Sequence, residues 1–230
     1  MENSIANQLM SRQIAGKNCP SPFVSAQLPV TGTRVVRMGA PPLDWGRLLV
    51  AQLEFYWDAH LWPRLNGLDD AEYFWEPVPG SWSVRAGEDG RFRPDGLTTQ
   101  EQPQPVTTIA WRMMHIAVGC FAIRTATFFP GPGDPADADM FDPRHVPGDL
   151  PHTAADGVAF LHDSYRQWHD HIAALDDAGM RTPLGPKGAY FSADPMAALI
   201  VHVNRETMHH GGEIGVLRDL YGATVRGNAA

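Results

Sequence analysis

Four stretches of the chain carry apolar residues at helical spacing, and the segments between them are rich in proline and glycine. The first follows Pro42. Asp44 is placed to cap a helix with Leu48, Leu49, Gln52, Phe55, Tyr56, Ala59 and Leu61 at helical spacing, ending near Leu65 ahead of Asn66-Gly67. The second spans 107–129, opened by Pro105 and Thr107 or Thr108 and closed by Pro130-Gly131-Pro132-Gly133; Trp111, His115, Val118, Gly119 and Ala122 share one stripe. The third spans 153–175, with Ala159, Phe160, Tyr165, Trp168 and Ile172 as apolar contacts. The fourth spans 196–221, with Asp194-Pro195 expected as cap and first turn. Its Leu199, Val203, Ile214, Leu217 and Leu220 centre on one face, and Glu206 and His210 fall near the middle of it.

No convincing set of alternating strands accompanies these helices, so the pattern predicts an all-α four-helix bundle over 43–222. An irregular arm at 1–42, with a strand-like patch at 33–38, would precede it, and a tail at 223–230 would follow. The 131–151 crossover between the second and third helices allows a topology other than simple up-and-down. The segment 68–105 has no strong period, which is unusual for a connection of that length and typical of functional loops. Its aromatic residues, including Phe74, Trp75 and Trp82, suggest that it packs against the bundle.

Composition narrows the partners. A net charge of −8 argues against a nucleic-acid groove or an anionic membrane surface. Two cysteines, Cys19 and Cys120, are too few for a disulfide framework or a cysteine zinc site. No apolar run is long enough to span a membrane, and the N-terminus lacks the apolar core of a secretory signal, so the expected location is the cytoplasm.

The chemistry concentrates on the fourth helix. A carboxylate buried without a partner costs several kcal/mol or more. Glu206 and His210, four residues apart, project from neighbouring turns of one face. His115 on the second helix is the natural third member, and a His2Glu set with an open position is the arrangement of catalytic zinc sites. Alternatives remain open at this point. His202 also lies four residues from Glu206, His209 sits toward the edge of the face, and a buried salt-bridge network without metal would explain the same spacing. Glu213 could orient a ligand histidine or accept a proton. Trp82 and Trp111 are candidate pocket walls, and Arg112 and Arg205 candidate anchors for a polar cosubstrate. On an ideal α-helix, Cys120 points roughly 140° away from His115, which suits a core thiol.

The segments AWRMMHI (110–116), HVNRETMHHGGEI (202–214) and FYWDAHLWPRLNGLDDAEYFWEPVPGSWSVR (55–85) resemble the DinB-like superfamily. The likeness is closest to its actinobacterial branch of mycothiol-dependent maleylpyruvate isomerases and mycothiol S-transferases, and it covers about 43–221. The resemblance implies a DinB-like metal-binding four-helix bundle whose ligands here are His115, Glu206 and His210; glutamate in place of a third histidine points to the isomerase type. It implies a divalent metal, zinc before nickel, cobalt or iron, and a thiol cosubstrate such as mycothiol attacking a small electrophile. A homodimer is a further expectation. A metal-dependent hydrolase using activated water, and a non-enzymatic metal-binding stress-response protein, are the competing functional readings.

Overall fold

The computed structural model describes residues 43–96 and 105–227. The expected arm at 1–42, with its strand-like patch, lies outside the described residues. Helix α1 covers 45–64, capped by Asp44, whose carboxylate accepts from the Arg47 N–H at 2.8 Å. Helix α2 is a single turn, Asp70–Tyr73. Strands β1 (Val84–Ala86) and β2 (Phe92–Pro94) pair antiparallel, with Arg85 opposite Arg93. Helix α3 covers 109–128 and is capped by the Thr108 hydroxyl. Helix α4 is Ala154–Ala173, capped by Thr153, and α5 is the short Asp177–Arg181. Helix α6, Met196–Tyr221, runs on through Gly222–Arg226, so the expected tail begins as a continuation of the helix.

The long helices pack as an all-α bundle in which α3 and α1 each lie against α4 and α6. Helices α1 and α3 are therefore diagonal partners, as are α4 and α6. The connections that cross the bundle are 65–108 and 174–195, whereas 131–151 joins adjacent helices. The expectation that placed the topological freedom in 131–151 is corrected. Segment 65–108 needs its length to reach the far corner, and it spends that length on α2 and the β-hairpin.

Leu53, Ile109, Ile116, Phe121, Trp168 and Val203 are fully buried at the centre, and Trp57 stacks on Tyr165 with 3.7 Å between ring centroids. Not every expected contact faces inward. Phe55 is 66% exposed, and Leu48, Ala159 and Leu220 are also at the surface. In α1 the buried stripe is Val50, Leu53, Trp57 and Leu61 instead. A 3.6-residue period reports that apolar stripes exist, and packing decides which of two stripes turns inward. At the far end of α6, Tyr221 is buried where Leu220 is not. Helix α6 starts at Met196 as expected, but Pro195 rather than Asp194 occupies the cap position, without a side-chain bond, and the Met196 N–H donates to Thr182 O at 2.9 Å. Among the described residues no helix is long and apolar enough to cross a membrane.

One ion-pair network fixes the C-terminal end of α6. Glu72, only 1% exposed, accepts from Arg218 at 2.8 and 3.1 Å and from Arg226 at 3.1 Å. Arg218 also donates to the carbonyls of Arg64 and Asn66, so α1, α2 and α6 meet there. Removing one partner of a buried pair strands the other charge. Glu72→Ala is therefore expected to destabilise the fold by about 3 kcal/mol, measured by urea unfolding.

Candidate metal centre

Helix α3 is not a regular α-helix where it matters. From His115 to Ala122 it adopts the wide π-helical turn, a form often found at functional sites. Trp111, one turn earlier, stacks on His115 with 5.4 Å between centroids and 6° between planes. Trp111 is itself anchored, its Nε1–H donating to Asp95 O at 3.1 Å. Trp82 N–H donates to Val106 O and Trp82 O accepts from Thr108 N–H, both at 2.8 Å, which stitches the hairpin segment to the start of α3. The Trp82 ring then lies 5.9 Å from that of Trp111.

Opposite this wall, α6 presents Glu206 and His210. Gly211 lets α1 come close here, since a Cβ at that position would sit 2.5 Å from the Tyr56 hydroxyl. His115 Nε2 lies 3.9 Å from Glu206 Oε2, and His210 Nε2 lies 3.3 Å from the same oxygen. The three donor atoms all fall within 4.8 Å of one another. Donors about 2 Å from a shared ion at tetrahedral angles would sit roughly 3.4 Å apart, so the set fits a divalent ion.

Protonation favours the same reading. Burial pushes the His115 imidazole down to about 4, so it is neutral at ordinary pH, and its Nε2 has no hydrogen-bond partner among the described residues. An orphaned buried ring nitrogen aimed at a carboxylate and a second imidazole is costly unless something electrophilic occupies the gap. The Glu206 carboxylate is held well below its usual range, chiefly by His115 and His210. Burial works against a charged His210, but its bonds to Glu206 and Glu213 outweigh that and raise it.

The remaining sequence candidates separate. Glu213 Oε2 accepts from His210 Nδ1 at 2.7 Å and pairs with Arg112 Nε at 2.9 Å. Arg112 Nη1 also lies 3.1 Å from His210 Nδ1, but one nitrogen cannot donate to Glu213 and accept from Arg112 together. The shorter, charge-assisted contact decides: Nδ1 carries the proton, and Nε2 is left facing Glu206. Arg112 is thus engaged by Glu213 rather than free as an anchor. Arg205 is exposed and donates to His202 Nδ1 at 2.6 Å. His202 lies 3.9 Å from Glu206, as far as His115 does, but on its other oxygen and outside the three-donor group, and burial pushes it down to about 4. His209 is exposed and reaches Glu213 at 3.5 Å, outside the three-donor group that includes His115.

Two neighbours fall where α-helical geometry does not put them. The wide turns of α3 reduce the 140° separation of an ideal α-helix, and Cys120 lies buried in the core, as a core thiol should. Burial, with Glu206 nearby, pushes the Cys120 thiol up to about 12, which keeps it protonated. Arg124, a full turn further on, is 4% exposed, and the sequence reading had passed over it.

The displaced His115 gives a pH signature. An unfolded histidine takes up its proton near 6.5, whereas the folded His115 does so only at about 4. The unfolded state binds that proton first, so this contribution is intact above about pH 6.5 and is lost as pH falls toward 4. NMR titration of metal-free protein is expected to show His115 neutral at pH 5.5, with His210 titrating above the ordinary histidine value.

No curated protein and no solved structure matches the chain. A family model described as DinB superfamily matches residues 88–214, more than half of the chain, beginning at the hairpin and taking in α3, α4 and the donor-bearing part of α6. With that match, the chain belongs to the DinB superfamily.

Proposed function

We propose that the protein is a metal-dependent transferase or isomerase that activates a low-molecular-weight thiol, of the mycothiol type, for attack on a small electrophile. One observation carries the reading. His115 keeps a neutral, partnerless Nε2 in the interior, converging on the carboxylate and imidazole that α6 sends from one face. His115, Glu206 and His210 would hold the ion, and the donor types favour zinc among nickel, cobalt and iron. When bound, a divalent ion supplies Lewis acidity that keeps a thiol sulfur deprotonated at neutral pH.

The protein's own groups do the rest. Glu213, fixed by Arg112, holds the Nδ1–H of His210 and so aims Nε2. Trp111 and Trp82 wall the approach and restrict water. Cys120 stays protonated and buried, so the reactive sulfur comes from a second molecule. Family membership supports metal binding, and the thiol chemistry extends the resemblance of 55–85, 110–116 and 202–214 to the mycothiol-using branch.

Elemental analysis of the purified protein is expected to find close to one divalent metal per chain. His115→Ala and Glu206→Ala should lose it while circular dichroism stays helical, and Glu213→Gln should weaken retention against a chelator roughly ten- to hundredfold. Consumption of a generic electrophile should require added thiol. A metal-free wild-type protein overturns the proposal, and turnover without thiol replaces it with a hydrolase.

A further inference from the structure

Arg124 is a buried cation whose obvious partner is missing. It is 4% exposed, and its Nη1 donates to Met140 O at 2.8 Å while the guanidinium lies 5.9 Å from the Phe141 ring. Nε has no hydrogen-bond partner, and among the described residues neither Nε nor Nη2 meets a carboxylate. A single carbonyl does not balance a buried charge. The Nε–Nη2 edge is also the one that fits a carboxylate two oxygens to two nitrogens. This protein uses that edge elsewhere: Arg218 clasps both oxygens of Glu72 through Nε and Nη2 at 2.8 and 3.1 Å. In Arg124 the same fork is empty.

Its position makes the emptiness informative. Nine residues after His115, Arg124 would stand on the opposite side of an α-helix, half a turn away. The wide turns over 115–122, each taking about one residue more than an α-turn, swing it back toward the His115 face. Helical side chains lean toward the N-terminus, which along α3 is the direction of His115, while Nη1 of Arg124 is held at Met140 O. It lies near enough to Glu206, Cys120 and His202 for their charges to act on one another. A divalent ion on two neutral histidines and Glu206 would leave one surplus positive charge, Arg112 and Glu213 cancel, and Arg124 adds a second. The sulfur of a bound thiol would answer the first, and nothing described answers the second.

We infer that the free Nε–Nη2 edge of Arg124 binds a carboxylate on the small molecule handled at the His115–Glu206–His210 site. The substrate class is thereby a carboxylate-bearing electrophile or thiol. This rests on the proposed reading of that site, and the test separates the two.

Four probes are titrated by calorimetry into metal-replete protein at neutral pH: 3-mercaptopropionate, 3-mercaptopropionamide, propionate and propionamide. Each carboxylate is expected to bind about tenfold or more tightly than its amide, as for hydrogen bonds to a charged group. Arg124→Gln, which keeps a donor for Met140 O, should bring each carboxylate to parity with its amide and leave the amides unchanged. Should that variant not fold, Arg124→Lys serves, because its ammonium lacks the fork and carboxylate affinity should fall severalfold. Equal binding of carboxylate and amide by the native protein, or a preference undiminished in the folded variant, overturns the inference. The comparison of thiol with thiol-free probes bears on the site's proposed chemistry alone, since the charge comparison can succeed or fail within either pair.

Discussion

Between α3 and α6 the interior brings together three potential ligand atoms taken out of water: the Nε2 atoms of His115 and His210 and a carboxylate oxygen of Glu206. Much of the surrounding structure is arranged to keep them there. Trp111 stacks flat on His115 and blocks its rotation, while Glu213 grips the far side of His210. The bare backbone at Gly211 lets α1 close against α6 beside them. Such an arrangement costs stability unless a positive charge completes it, whether a proton on His210 or a bound ion.

The bundle supplies the rigidity this needs in an uneven way. Between α1 and α4, helices are held by large apolar contacts such as Trp57 on Tyr165. At the distant end of α6, they are held by charge, with Glu72 gathering Arg218 and Arg226. The charge network grips α6 at Arg218, about two turns beyond His210, which lies in the middle of the 26-residue helix. The helix that presents Glu206 and His210 is thus fixed at its base independently of the site.

What the sequence made legible was local. Asp44, Thr108 and Thr153 announce helix starts because capping depends on a residue and its near neighbours. Glu206 and His210 were readable as a pair because four residues make one turn on any regular helix. The exposed Phe55 and Leu48 were misread because spacing alone does not say which stripe meets the core. The diagonal placement of α1 and α3 depends on the whole bundle, and so escaped a reading made segment by segment. Cys120 is the core thiol its spacing suggests, but its azimuth assumes 3.6 residues per turn, a value α3 abandons at His115, and the same change of winding hides the place of Arg124 from a reading by spacing. The family resemblance reached further back than the matched region, which begins at residue 88 and leaves α1 outside.

The wide turns of α3 act as a phase shift between two halves of one helix. Upstream, Trp111 and His115 keep their register with α6; downstream, everything is turned relative to a continuous α-helix. Loss of a single residue from that stretch would let the backbone relax to ordinary winding, and the larger rotation per residue would largely offset the residue removed, so the downstream half would keep nearly its present azimuth. The three donors would stay together, and Arg124 would keep its side of the helix. The stretch can therefore lose its extra residue with little change in what α3 presents to α6.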